Sequence, residues 1–381
     1  MELTSIGCRG YKAFDRPSHI GLGKLSVIFG KNNSGKTTLA RLPIFAAASL
    51  VNRGRLYSLD SKQIHFGTSF ADLASVDQAH PRVSFEISWD PHRRLGAELQ
   101  YVSSRSEPGS IQPLTLQIDN DSIDRFSLEK SAQGSTQSTI ESALTREEVS
   151  RLESRRFELR RLLEETIHIP SSRPRIEGIY EVRPSHDWNA SETPYILNSD
   201  PILARSVGEW YSRALDGTTI GIDRAGFAFR LIERDKRLSV NMSQSGRGIQ
   251  AALPVVTLML AVASQRCKPD LVIIEEPEAH LHPSAHGSVA DLVIDCSRHA
   301  QVIIETHSEN FILRLRRRIA ERVLDLSDLS LFYIDEEHRI SQIPLDAYGA
   351  TTAWPSGVFE SDIEEAEAIV AAKMAAIDHL H

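Results

Sequence analysis

The chain has 381 residues, 41% hydrophobic and 25% charged, with a formal net charge of −8. That is enough chain for one large domain or two with a sizeable core. It excludes a disordered or fibrous protein and a global basic field for nucleic acid, though not a local basic patch. Cys8, Cys267 and Cys296 are too few and too far apart for a disulfide framework. No apolar run has signal-peptide length at the N-terminus, and the longest one, residues 251–263, contains Pro254 and is too short for a bilayer. The expectation is a cytoplasmic protein with no membrane contact.

Residues 25–29 predict a short buried strand. Gly30-Lys31-Asn32-Asn33-Ser34-Gly35-Lys36-Thr37 follows and fits G-x-x-x-x-G-K-[ST], a phosphate-binding loop. Residues 38–50 predict a helix, bent at Pro43. Strand, loop and helix together let Gly30, Asn32, Asn33, Ser34, Gly35 and Thr38 surround phosphate with backbone N–H groups at the positive end of a helix. Lys36 should reach the β- and γ-phosphates, and the Thr37 hydroxyl should ligate Mg²⁺.

The middle of the chain is less informative. Residues 81–89 and 114–118 alternate as strands and suggest a β-lobe, whereas 103–112 and 133–138 read as polar loops. Residues 145–166 predict a charged amphipathic helix with Thr145 and Glu148 as a capping box. Its Arg151, Arg155, Arg156, Arg160 and Arg161 alternate with Glu153, Glu158, Glu164 and Glu165. This is either a solvated helix with i,i+4 pairs or an arm facing DNA or a partner. No long heptad repeat accompanies it. Residues 169–175, rich in Pro and Arg, mark a lobe boundary.

Residues 251–263 predict a buried helix. Residues 270–274 predict a buried strand that ends in Glu275 and Glu276. A strand that delivers carboxylates to its C-terminal edge suits the ligand crevice of an open parallel α/β sheet. Glu275 is placed to hold Mg²⁺, directly or through water, and Glu276 to act as general base on the attacking water. A second strand, 301–305, leads to Thr306-His307-Ser308 and a helix over 309–318, so His307 can hydrogen-bond a γ-phosphate oxygen and the water. His280 and His282 have His-x-His spacing but lack the helical H-E-x-x-H pattern of a zinc site.

The phosphate loop, Glu275-Glu276-Pro277-Glu278-Ala279-His280-Leu281-His282-Pro283 and Thr306-His307-Ser308 together resemble the ABC-type ATPase heads of the SMC, RecF and OLD proteins. The wording is most similar to the OLD-like and RecF-like branch, and residues 10–14 resemble the opening strand of such heads. The resemblance implies an α/β fold: an ABC-type P-loop ATPase head with a mixed sheet core, an antiparallel β-lobe and a helical lobe. It makes Glu275 the Walker B acid, Glu276 the catalytic base, His307 the switch histidine and residues 278–282 the D-loop that faces a partner subunit. The ABC signature falls in residues 241–250. Ser243 and Ser245 both stand as candidates to face a γ-phosphate, beside Gly246 and Gly248. Gln63 and Gln78 are both candidates for the Q-loop.

Residues 1–345 are therefore expected to form the head: 1–83 with Walker A, 84–240 as the β/helical lobe, and 241–345 with the signature, Walker B, D-loop and switch histidine. A tail, 346–381, resembles the W-P-x-G-F-F ending of stand-alone OLD-like ATPases. Trp354 and Phe359 are read there as packing anchors, and residues 364–381 as a final helix. After Asp335 only 46 residues remain, fewer than the Toprim nuclease of full-length OLD proteins needs. The function implied is ATP binding and Mg²⁺-dependent hydrolysis by a self-associating switch. A homodimer would share composite sites, a separate effector protein would supply the output, and DNA is left open as a partner. A non-hydrolysing ATP- or DNA-binding scaffold and a transporter cassette are the alternatives.

Overall fold

Five parallel strands, with a sixth added antiparallel at one edge, form the sheet on which the site is built. The computed structural model describes residues 1–381 except 54–55, 76–80, 91, 105–106, 125–142, 186, 236–237, 352–353 and 356–381. The first strands are β1 (Ser5–Arg9), β2 (Ser18–Gly21), β3 (Leu25–Gly30), β4 (Asp60–Ser61) and β5 (Ile64–His65). Next come β6 (Arg82–Asp90), β7 (Arg93–Ser104), β8 (Glu107–Ile118), β9 (Asp121–Ile123), β10 (Thr166–Ile169) and β11 (Tyr180–Glu181). The last are β12 (Thr219–Ala225), β13 (Ala228–Arg234), β14 (Ser239–Asn241), β15 (Leu271–Glu275), β16 (Gln301–Thr306), β17 (Leu329–Ile334) and β18 (Ile340–Gln342). The helices are α1 (Lys36–Val51), α2 (Arg146–Glu164), α3 (Thr193–Ser199), α4 (Pro201–Ala214), α5 (Arg247–Ala263), α6 (Pro283–Ser297) and α7 (Glu309–Ala320).

The central sheet runs β10-β15-β16-β3-β17-β18. Its strands are apolar on both faces, as parallel strands covered on both sides must be. Alternate residues therefore feed two different cores. Leu25, Val27, Val272, Ile274, Val302 and Ile304 pack with the helices α4 to α7, which form one layer. Ile28, Ile273, Ile303 and Phe332 face the other way, onto α1, α2 and a second sheet. That second sheet is antiparallel, in the order β2-β1-β6-β7-β8-β9. The N-terminal strands β1 and β2 thus belong to the β-lobe. A smaller sheet of β11, β12, β13 and β14 lies on the helical side.

Local signals account for most element boundaries. Helix α2 begins at the expected capping box: the Thr145 side chain accepts from the Glu148 N–H, and the Glu148 carboxylate accepts from the Thr145 N–H. Both α1 and α5 run through their prolines, Pro43 and Pro254, without interruption. The segment 103–112 is a correction. Its residues 103–104 and 107–112 belong to β7 and β8 instead of a loop, with Val102 paired to Ser110. The register shifts at its tip, and ladder hydrogen bonds rather than hydrophobic alternation carry it. Residues 133–138, Gln78, Phe359 and the helix expected over 364–381 lie outside the described residues.

The arginines of α2 are committed within the chain. Arg155 pairs with Asp119 at 2.9 Å and Arg151 with Asp121 at 2.7 Å, tying the helix to the β8–β9 turn, while buried Arg156 donates to the Leu50 carbonyl. Arg155–Glu158 and Arg156–Glu153 are i,i+3 pairs and Arg161–Glu165 is an i,i+4 pair, so pairs along the helix stand beside those that tie it to the turn. Trp354 behaves as an anchor: it stacks on Phe29, with centroids 5.6 Å apart, beside Arg316. Among the described residues no helix is long and apolar enough to cross a membrane.

On α2, Leu159 is fully buried while Phe157, two residues away, is 69% exposed. Leu159→Ala is expected to cost about 2–5 kcal/mol, and Phe157→Ala to stay within about 0.5 kcal/mol. Urea unfolding of the two variants beside the parent checks this contrast.

Candidate functional site

The phosphate loop leaves the centre of the sheet. Strand β3 lies between β16 and β17, so the loop opens at the carboxyl edge, where β15 and β16 also end. Gly35 immediately precedes α1 with φ +98°, which a side chain would strain, and a Cβ there would press on the Phe14 ring. Asn32 and Asn33 are exposed, and Asn33 also takes a left-handed φ of 63°. The turn after β17 braces the loop from outside: Lys31 pairs with Glu336 at 2.6 Å, and His338 Nδ1 meets the Ser34 carbonyl at 2.9 Å. Lys36 is buried and its ammonium donates to the Lys31 carbonyl. Burial lowers its pKa, while Glu305 and Glu276 pull it back up. The ammonium is therefore held inside the loop, close to two carboxylates, with a loop carbonyl as its acceptor.

Glu275 is where the structure departs from expectation. Its side chain is fully buried and both oxygens are taken. Oε1 accepts from Arg41 Nε at 2.5 Å and lies 2.7 Å from His168 Nε2, while Oε2 accepts from Arg41 Nη2 at 2.7 Å and the Ser171 N–H at 3.1 Å. Burial alone would raise the Glu275 pKa. Hydrogen bonds from His168 and Arg41, with the Arg41 charge, overcome it and hold the carboxyl well below the usual range. The Thr37 hydroxyl donates to Glu305 Oε1 at 2.7 Å, not to Glu275. Glu305 was not among the expected site residues. It is 3% exposed, and its other oxygen is buried with no partner. Burial pushes its pKa up to about 7, against the Thr37 hydrogen bond and with help from the Glu275 charge.

The strand register explains this placement. In the ladder Glu275 lies opposite Glu305, and Glu305 lies opposite Ile28, so β16 inserts Glu305 between β15 and β3, the strand that leads into the phosphate loop.

Glu276 and His307 meet as expected. Their nearest side-chain atoms are 3.8 Å apart, and Glu276, Glu305 and His307 each bring one donor atom within 4.8 Å of the others. Burial lowers the His307 pKa and the Lys36 charge adds to this, against Glu276, so the neutral imidazole is favoured. Glu276 sits in a turn with φ 43°. Its N–H donates to the Glu305 carbonyl at 2.8 Å, and Arg173 Nη2 donates to the carbonyls of Glu275 and Glu276 at 2.7 and 2.9 Å. Burial lowers the Arg173 pKa to about 10 despite the three nearby glutamates. Glu278 is buried too. It accepts from the Thr306 hydroxyl at 2.6 Å and the His307 N–H at 3.0 Å, so the segment expected to be the D-loop is bonded to His307.

The segment 241–250 lies at the start of α5. The Ser243 hydroxyl donates to Asn241 Oδ1 at 2.8 Å, whereas the Ser245 hydroxyl is buried and unpartnered. Gly246 has open space where a Cβ would sit, while at Gly248 a Cβ would collide with the His280 carbonyl of the D-loop. His282 caps α6 through Ser284. The metal-capable cluster among the described residues includes neither His280 nor His282. Gln63 lines a cleft of about 1120 Å³ with Arg41, His168, Trp188 and Lys268, on the far side of the Glu275 network. The orphaned oxygen of Glu305 and the Thr37 hydroxyl form a hard-oxygen donor pair that fits Mg²⁺.

Residues 179–314, about a third of the chain, match a family described as "AAA domain, putative AbiEii toxin, Type IV TA system". No curated protein sequence matches the chain. The fold is similar to that of an SMC head solved bound to the C-winged helix domain of ScpA, with TM-score 0.54 and 12% identity over 91% of this chain and 98% of that one. Two other SMC heads align at lower TM-scores. The one from Thermotoga maritima gives 0.42 and 15% identity over 91% of this chain and all of its own. The other, with an extended coiled coil and bound to the C-terminal domain of ScpA derived from Pyrococcus furiosus, gives 0.46 and 11% identity over 97% and 99%. The ABC-type head fold expected from the resemblance is the fold observed.

Arg41→Ala strips the buried Glu275 of its guanidinium. Removing one partner of a buried ion pair costs about 3–5 kcal/mol, so this variant should unfold at markedly lower urea than the parent. Equal midpoints would show that the pair does not hold the core.

Proposed function

We propose that the chain is an ATP-binding, ATP-hydrolysing switch. One observation carries the reading: Lys36, Thr37, Glu276 and His307 converge on one sheet edge from three different strand ends. Lys36 is pre-positioned and poorly neutralised, and a triphosphate would give its ammonium the acceptors it lacks. Mg²⁺ bound with the nucleotide would neutralise phosphate charge and orient it for in-line attack. Glu276 is half-exposed and held in a fixed turn by Arg173 and the Glu305 carbonyl, so its carboxylate can take a proton from water. Neutral His307 beside it can hydrogen-bond the same water or a phosphate oxygen.

The site is half of a composite one in this reading. The N-terminus of α5, exposed and open at Gly246 and with the Ser245 hydroxyl just beneath the surface and unpartnered, is offered to the nucleotide of a second copy. Ser245 is favoured over Ser243 because Asn241 already occupies Ser243. The assembly is a cytoplasmic homodimer of the OLD-like branch that closes on ATP and passes its state to a separate effector in DNA maintenance or phage defence. The toxin–antitoxin wording of the matched family supports a defence output, and the SMC head bound to ScpA gives a precedent for a head that engages another protein.

Lys36→Ala should abolish ATP binding measured by calorimetry. Glu276→Gln should keep it and lose about 10²–10⁴-fold in turnover. Parent-like affinity in the first variant, or parent-like turnover in the second, sinks the assignment.

The composite site has its own test. Gly246→Asp should bind ATP and fail to hydrolyse it, and mixing it with Lys36→Ala should restore at most one working site per dimer. Full activity in a species that light scattering shows to be monomeric rules the shared site out.

A further inference from the structure

We infer that Glu305, and not the Walker B residue Glu275, is the carboxylate that joins Thr37 in holding the Mg²⁺ of the bound nucleotide, and that Glu275 is a structural acid. This rests on the ATP-site reading above.

The two carboxylates differ in what they have left to give. Glu275 accepts from Arg41 twice, from the Ser171 N–H and at His168, so neither oxygen is free, and the side chain is fully buried. To take a metal it would have to release a buried guanidinium, leaving Arg41 without its partner in a dry site. Glu305 accepts from the Thr37 hydroxyl alone, and its second oxygen is buried and unmatched. Buried polar atoms without a partner are rare enough in folded proteins that one beside a phosphate loop points to a missing ligand.

Position supports the same choice. Glu305 is opposite Glu275 on one side and Ile28 on the other, so it stands one strand from the phosphate loop whereas Glu275 stands two away. It is the member of the Glu276, Glu305 and His307 group that also bonds Thr37. Mg²⁺ prefers one or two carboxylates, with phosphate oxygens and water completing an octahedron, and keeps little room for nitrogen. Thr37 and Glu305 supply the protein share, which leaves Glu276 and His307 for the water.

The test compares parent, Glu305→Gln and Glu275→Gln by binding of a fluorescent ATP analogue with Mg²⁺ and with EDTA, and by electron paramagnetic resonance of Mn²⁺ with ATPγS. Circular dichroism melts run alongside. Glu305→Gln should keep its affinity in EDTA within about twofold, lose at least about tenfold of the enhancement by Mg²⁺, and show the Mn²⁺ spectrum of the nucleotide complex in solution in place of a protein-bound one. Glu275→Gln should melt lower and, in its folded fraction, keep the metal response. Glu305→Asp retains the charge on a shorter arm and should lose part of the enhancement; it decides the matter if the glutamine variant does not fold. An unchanged metal response in Glu305→Gln or, failing that, in Glu305→Asp overturns the inference and leaves nucleotide binding intact. So does loss of the response in Glu275→Gln with an unchanged melt. A parent that binds no nucleotide in either condition overturns the ATP-site reading, and this inference with it.

Discussion

The buried carboxylate of Glu275 is the point at which four parts of the molecule are joined. Arg41 reaches it from α1, His168 from β10 and the Ser171 N–H from the segment after β10, while Glu275 itself ends β15. Helix α1 is the helix whose first turn carries Lys36 and Thr37. The phosphate loop is therefore fixed to the sheet at both ends: through β3 before it and through Arg41 one turn after it. An ion pair in a dry site repays its desolvation only when every lone pair is matched, and here four contacts match them. Such a pair sets the placement of the parts more than it adds to stability.

From that point the geometry of the reacting edge follows. Arg173 clasps the carbonyls of Glu275 and Glu276, and the Glu305 carbonyl takes the Glu276 N–H, so the unfavourable φ of Glu276 is over-determined by its surroundings. Glu278 continues the chain of bonds to Thr306 and His307. The D-loop in turn touches α5 where Gly248 meets the His280 carbonyl. Glu276, His307 and the start of α5 are thus linked through the segment 276–280.

Much of the fold was legible along the chain because its signals are local. The phosphate loop declares itself by spacing, the strands around it by apolar runs, and α2 by a capping box that forms as read. The β7–β8 pairing near 103–112 is not legible because its polar residues resemble a loop and only the ladder with the neighbouring strand makes them regular. The arginines of α2 offered two readings, and their commitments to Asp119 and Asp121 depend on a turn about thirty residues away.

The sequence by itself determined that this chain has a phosphate loop, an acid pair after one buried strand and a histidine after another, because each is written in a few adjacent residues. Which acid meets which partner was decided by tertiary structure. Strand order is not encoded by spacing, and only the insertion of β16 between β15 and β3 puts Glu305 beside Thr37 and turns Glu275 toward Arg41 and His168. Arg41, His168, Arg173 and Glu305 are ordinary residues in isolation. They become parts of the site only when the folded chain removes water from around them and leaves each charge to find its partner within a few ångströms.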